Sequence, residues 1–177
     1  MINKKDEPVY SAQLESLSHL GDGTSMTQQI FEMIGHSKFF ADFSREDVEQ
    51  LTAFMDVYRA NAGQTIIREG DVDDYMLLVV EGRVEIMKTD SQGNHRPMTA
   101  VGPGATLGEM SMIDGEPRYA TCVAVDTTTF SVLSRNSMVK IILEEPGLGS
   151  KILIKLVTLL SQRLRATSSN LLHYLER

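Results

Sequence analysis

The sequence predicts a mostly β domain with flanking helices, an antiparallel sandwich or jelly roll. Three observations lead there. Between Val57 and Ser134 short β-rich runs alternate with turn signals. On either side of that stretch apolar residues recur at helical spacing. The C-terminal end carries apolar residues at alternating steps of four and three, the seam pattern of a coiled coil.

Taken in order, residues 1–25 are polar and Gly21-Asp22-Gly23-Thr24-Ser25 reads as a break, so a flexible N-terminal tail is expected. Within it Leu14, Leu17 and Leu20 have the spacing of a short amphipathic turn. Ile30, Phe31, Ile34, Phe39 and Phe40 predict helical packing over 28–43. Ser44 is placed to cap a helix through the Asp47 N–H, with acids at 46, 47 and 49 in its first turn. Val48, Leu51, Phe54 and Met55 form the buried stripe of that helix. Strands are expected at 65–67, 75–80, 83–88, 98–101, 120–125 and 127–133, with Ser91-Gln92-Gly93-Asn94 as a hairpin tip. After Arg135 the helical period returns: Asn136 or Ser137 caps a short helix that Pro146-Gly147 ends. A long helix then runs from about Leu148 to Glu176. Its seam is Leu153, Val157, Leu160, Leu164, Thr167, Leu171 and Tyr174, and its first half, widened by Ile152, Ile154, Leu156 and Leu159, is expected to cover the β domain. A lone helix with such a stripe is marginal in water, so a partner helix is expected. The chain thus divides into a tail over 1–25, a β domain with its N-terminal helical segment over 26–147, and a dimerisation or lid helix over 148–177.

Composition excludes several classes. With 17 Lys plus Arg against 24 Asp plus Glu, the net charge of −7 disfavours DNA or RNA on the bulk of the surface. The single cysteine, Cys122, cannot form an intramolecular disulfide and suits a reducing compartment. No apolar run follows the charged N-terminus, and the stretch from Ile152 to Leu160 is too short and too interrupted to span a membrane, so a cytoplasmic protein without a membrane partner is expected.

The most informative segment is Leu107-Gly108-Glu109-Met110-Ser111-Met112, followed by Arg118-Tyr119-Ala120-Thr121. A glycine-led helix start offers free backbone N–H groups to an anion. An arginine clamps two phosphate oxygens in a fork, and an ionised Glu109 accepts the hydrogen bond of a sugar hydroxyl. One acid, one arginine and several amides match a nucleotide bearing one negative charge. Singly, each residue has an ordinary reading: Glu109 as an acid stabilising a helix start, Arg118 as its ion-pair partner.

Leu107, Gly108, Glu109, Ser111, Met112, Arg118 and Ala120 resemble the phosphate-binding cassette of the cyclic-nucleotide-binding domain, the family of catabolite-activator transcription factors, kinase regulatory subunits and gated channels. Gly63, Ile66, Gly70 and the run Tyr75-Met76-Leu77-Leu78-Val79-Val80-Glu81-Gly82 fit its upstream signature, and the resemblance extends from about Phe39 to Ser137. It implies an antiparallel β jelly-roll barrel with N-terminal helices and a long C-terminal helix. It implies further that Gly108, Met110 and Ser111 give backbone contacts to phosphate and ribose, that Glu109 binds the ribose 2′-hydroxyl, that Arg118 neutralises the phosphate, and that Ala120 supports it through its backbone. Tyr119 stands where the family has a small residue and is assigned to the base, leaving open whether it stacks, redirects or obstructs. Cys122 replaces an aliphatic residue and reads as a small buried hydrophobe.

Other motifs fail on spacing. Gly102-Pro103-Gly104 with Gly108 is one residue too long for a dinucleotide fingerprint, and Ser111 lacks the second glycine of a nucleophile elbow. His19, His36, His95 and His173 are scattered, and Asp71, Asp73 and Asp74 lack the downstream glutamate of a calcium loop, so neither metal nor catalytic residues are expected. The expectation is a stand-alone, non-enzymatic sensor of cAMP or cGMP without other cofactor. Residues 135–177 leave no room for a winged helix-turn-helix, so output passes through the C-terminal helix, a homodimer and a protein effector of unknown identity. The alternative is a dimeric scaffold on the same fold, ligand-free or binding a cyclic dinucleotide.

Overall fold

Two antiparallel sheets form where the sequence alternates in twos. A computed structural model describes residues 11–34, 37 and 39–176. The strands are β1 (Ser18–Asp22), β2 (Asp56–Ala60), β3 (Thr65–Ile67), β4 (Tyr75–Glu81), β5 (Val84–Thr89), β6 (His95–Val101), β7 (Thr106–Leu107), β8 (Thr121–Ala124) and β9 (Thr128–Ser134). One sheet has the order β1-β2-β9-β4-β7 and the other β3-β8-β5-β6. The β5–β6 hairpin turns at residues 90–94, where Gly93 takes φ +83° and Asp90 Oδ1 accepts from the N–H groups of Gln92 and Asn94, both at 2.9 Å.

The helices are α1 (Ala12–Glu15), α2 (Thr27–Ile34), α3 (Arg45–Thr52), α4 (Glu109–Asp114), α5 (Arg135–Glu144) and α6 (Pro146–Leu175). Their placement follows from β4, whose unbroken apolar run is buried on both faces. Tyr75, Leu77 and Val79 face the second sheet and pack with Ile66, Ile67, Val84, Cys122, Phe130 and Val132. Met76 and Leu78 face the other way, into a cluster closed by α2, α3, α5 and the start of α6 through Ile30, Val48, Leu51, Ile141, Ile152 and Leu156. Phe39, Phe40 and Phe43 join it with ring centroids 4.6 and 5.0 Å apart around Phe40. Ser44 caps α3 as its sequence requires. Its hydroxyl accepts from the Asp47 N–H at 3.1 Å while Asp47 accepts from the Ser44 N–H at 2.7 Å, and Lys151 of α6 donates to the same carboxylate at 2.6 Å.

The structure departs from expectation in several places, β2 and β7 among them, neither being an expected strand. The β ladders of the described residues form two separate sheets, so the jelly roll is an open sandwich and not a closed barrel. Within the expected tail, residues 11–25 form α1, β1 and a 3-10 turn over Gly23–Met26. Leu14 and Leu17 are buried there and β1 pairs with β2, contacts that polar composition does not announce. Residues 1–10 lie outside the described residues. Ser134, two residues before the first of the expected caps, caps α5 by accepting from the Ser137 N–H at 3.0 Å. Pro146, expected to end a helix, begins α6, where its missing N–H costs nothing. Ile154, expected to cover the sandwich, is exposed.

Candidate functional site

Gly108 sets the local geometry. It caps α4 with φ +81°, and a Cβ there would lie 2.6 Å from Arg118 Nη1 and 2.9 Å from the Tyr75 carbonyl. Only glycine meets both conditions. The chain therefore turns sharply out of β7 and brings Glu109 and Ser111, both buried, against the sandwich. Arg118 arrives from the other side, in the segment before β8. Its N–H donates to the Asp71 carbonyl at 2.8 Å and its carbonyl accepts from Gly70 at 2.9 Å. Gly108, Glu109, Met110, Ser111, Arg118, Tyr119 and Ala120 line one cavity of about 120 Å³, floored by Ile67, Leu107 and Cys122. All seven residues singled out by sequence thus meet at one place.

Arg118 is 3% exposed. Nη1 donates to the Tyr75 carbonyl at 2.7 Å and the Gly108 carbonyl at 3.1 Å, and the guanidinium lies 4.2 Å from the Tyr75 ring centroid. Nε and Nη2 are buried without a hydrogen-bond partner. Nε stands 4.0 Å from Asp73 Oδ2, which also lacks a partner. Burial raises the Asp73 carboxyl above its ordinary range, opposed by the nearby Arg118. Two nitrogens of a buried cation left without acceptors cost free energy, part of which an acceptor reaching Nη2 from the cavity would recover. Burial also pushes the Cys122 thiol up to about 12, so it stays protonated, as its reading as a hydrophobe requires.

Glu109, 1% exposed, is held by a residue that the cassette pattern does not contain. Arg163 of α6 donates from Nη1 to Oε2 at 3.0 Å and from Nη2 to Oε1 at 3.2 Å, and Nη2 also reaches the Thr106 carbonyl at 3.0 Å. The Thr106 hydroxyl donates to Oε1. This fork–fork pair joins α6 to the cassette across 54 residues of chain. A signal for it was present: Ile152, Leu156 and Leu159 step by four and three along the sandwich-facing stripe, and the next position on that stripe is Arg163. Arg163 lines the cavity and also a neighbouring groove of about 740 Å³ between α6 and the cassette, walled by Met98, Met110, Ile113, Leu160 and Leu164. Tyr119, 56% exposed, stands at the rim between the two spaces and fills neither.

Comparison with known proteins decides the family. The family model described as cyclic nucleotide-binding domain matches residues 58–145. The crystal structure of a cyclic nucleotide-binding domain from Methylobacillus flagellatus is 38% identical, covers 93% of each chain and superposes with a TM-score of 0.82. This chain belongs to the cyclic nucleotide-binding domain family. Among cyclic nucleotide-binding relatives, the Cyclic AMP receptor protein of Thermus thermophilus is 30% identical over 73% of this chain and 58% of its own length. The regulatory domain of Toxoplasma gondii PKA, solved with cAMP, is 26% identical with a TM-score of 0.58, over 66% of this chain and 44% of that one. This cyclic nucleotide-binding domain therefore spans a little over half the length of its Thermus relative, which as a whole is larger. Among the described residues no group of three or more His, Cys, Asp or Glu side chains is placed to hold a metal ion, and no helix is long and apolar enough to cross a membrane.

Proposed function

We propose that the chain is a non-catalytic sensor of a cyclic mononucleotide, cAMP or cGMP, whose occupancy is read through α6. The observation that carries this is the Arg163–Glu109 pair: the carboxylate assigned to the ribose hydroxyl is already gripped by the helix assigned to output. A ligand that bonds Glu109 changes the environment of Arg163, which is the differential contact a population shift needs. Gly108, Met110, Ser111 and Ala120 would supply the backbone contacts, Arg118 the phosphate contact through its free Nη2, and Tyr119 a wall for the base.

The arginine donors support a mononucleotide. Of the two arginines lining the cavity, Arg118 has Nη2 without a partner, whereas both Nη atoms of Arg163 are engaged by Glu109 and the Thr106 carbonyl. One cyclic phosphate suits that single free donor group; the second phosphate of a cyclic dinucleotide would meet an arginine already committed. The division of labour then follows the chain, residues 26–147 sensing and residues 148–177 transmitting. A homodimer through α6 is supported by the seam itself, since Leu164, Leu171 and Tyr174 are exposed in the single chain.

The test is calorimetric titration of nucleotide-free wild type and Arg118→Ala with cAMP, cGMP and a cyclic dinucleotide. Loss of a buried phosphate partner is expected to cost about 3–5 kcal/mol, roughly two to four orders of magnitude in Kd. Equal binding by both proteins would sink the phosphate assignment. Absence of heat from folded wild type with any ligand would favour a ligand-free scaffold instead.

A further inference from the structure

Tyr119 is held by a small polar assembly outside the cassette. Lys88 of β5 donates from Nζ to the Tyr119 carbonyl at 2.6 Å, and the same ammonium lies 4.3 Å from the Tyr119 ring centroid. Lys88 is in turn fixed by Glu69, whose Oε1 is 2.5 Å from Nζ. Glu69 is itself immobilised: Oε2 accepts from the Thr89 N–H at 2.9 Å and the Thr89 hydroxyl at 2.8 Å, and its own N–H donates to the Thr121 hydroxyl at 3.0 Å. The hydrogen bond from Lys88 holds the Glu69 carboxyl far below its ordinary range, at about 2. β5 pairs with β8 only as far as Met87 opposite Thr121, so Lys88 comes level with Ala120, just past the ladder's end and beside Tyr119.

These contacts are placed to orient a ring. An exposed tyrosine held only by its backbone samples its rotamers, whereas this ring has a cation on one face and a fixed carbonyl behind it. Lys88 borders neither the cavity nor the groove, while Tyr119 borders both. The ammonium thus covers one ring face from outside both spaces, and the groove that Tyr119 helps to line is bounded on the helix side by Leu160 and Leu164. Ile86, two residues before Lys88 on the same side of β5, continues the wall. Such a slot suits a flat aromatic group joined to whatever occupies the phosphate cavity.

We infer that Glu69 and Lys88 are positioning residues that preorganise Tyr119 as a stacking platform for a purine base, making Tyr119 the residue that selects purine over pyrimidine cyclic nucleotides. This rests on the binding function proposed above and adds the class of base and the side chains that select it. Stacking tolerates either purine because each has a π face of similar size, so the platform discriminates by ring area and not by edge. Preorganisation by Lys88 removes the cost of freezing the ring on binding.

The experiment is calorimetric titration of the full chain with cAMP, cGMP and cCMP for wild type, Tyr119→Ala, Tyr119→Phe, Lys88→Met and Lys88→Arg. The readout is the ratio of purine to pyrimidine affinity, which a general loosening of the fold lowers on both sides and leaves unchanged. Wild type should prefer both purines; Tyr119→Ala should weaken purine binding by about tenfold and reduce the ratio severalfold. Tyr119→Phe keeps the ratio. Lys88→Met lowers it by a smaller factor and Lys88→Arg, which retains the cation, restores it. A ratio unchanged within about twofold in both Tyr119→Ala and Lys88→Met overturns the platform while leaving the binding function standing. Failure of folded wild type to bind any of the three overturns both.

Discussion

Arg163→Met is the substitution that most directly examines the join between cassette and helix. Glu109 is 1% exposed and receives three hydrogen bonds, two of them from Arg163. Removing one partner of a fully buried pair costs about 3–5 kcal/mol, because the remaining charge is stranded. Arg163 is 46% exposed, so water reaches the vacated side and part of that cost is relieved. The Thr106 hydroxyl also stays in place. About 1.5–3 kcal/mol of destabilisation is then expected, the range of a hydrogen bond to a charged group. Urea unfolding with an unchanged slope gives the number, and a double-mutant cycle with Glu109→Gln isolates the pair. Methionine preserves the stem of the arginine, so lost packing contributes little. A coupling within about 0.5 kcal/mol of zero would refute the reasoning, since it would make Arg163 a surface arginine with no hold on the cassette.

Three further outcomes follow from other parts of the molecule. Leu171→Asp puts a charge on the exposed seam well clear of the groove residues Leu160 and Leu164, and should convert a dimer to monomer in sedimentation without altering ligand affinity; an unchanged mass would exclude the seam as the interface. For Glu69 the folded carboxyl is depressed from 4.5 to about 2, so its stabilisation is fully present above about pH 4.5 and is lost as pH falls through 2. The stability gap between wild type and Glu69→Gln, followed by urea unfolding, should therefore close over that acid window, and a gap that does not vary with pH would contradict the assignment. Cys122, buried with its thiol raised to about 12, should resist a thiol-specific disulfide reagent at pH 8 until urea unfolds the protein; rapid modification of the native state would show that its surroundings open.

Much of the fold was legible because its signals are local. The β4 run, the Asp90–Asn94 turn and the Ser44 cap each lie within a few residues of the feature they specify. The cassette was legible for the same reason, Gly108 and Arg118 being ten residues apart. What escaped reading depends on partners far along the chain. β1 contains Gly21 and Asp22, which locally read as a turn, and is a strand only because β2 offers it a ladder. β7 is two residues long, too short for any period to register. Ile154 shows the converse: its apolar character suggested burial, but 3.6 residues per turn carries it off the stripe of Ile152 and Leu156 into solvent.

The same helical arithmetic explains how α6 can serve two surfaces at once. At about 100° per residue, the sandwich-facing stripe of Ile152, Leu156, Leu159 and Arg163 lies about 100° from the seam of Leu153, Val157, Leu160, Leu164 and Leu171, each of the first four seam residues directly following a stripe residue. The helix can therefore keep its grip on the cassette through Arg163 while the end of its seam beyond the groove, Leu171 and Tyr174, engages another helix. Arg163 occupies the boundary: residues before it on its stripe are buried or half-buried, and residues 164–176 are exposed. A carboxylate offers about four acceptor positions, of which Thr106 and Arg163 use three at Glu109. A ribose hydroxyl can take the fourth without expelling Arg163, and a phosphate held by Arg118 would leave the Arg163–Glu109 pair in place. Ligand would then tighten α6 against the cassette instead of releasing it. Amide hydrogen exchange along 160–175 should slow when cyclic nucleotide binds to wild type and should not respond in Arg163→Met. Exchange that speeds on binding would mean that ligand and Arg163 compete for Glu109, and the sign of the coupling would be reversed.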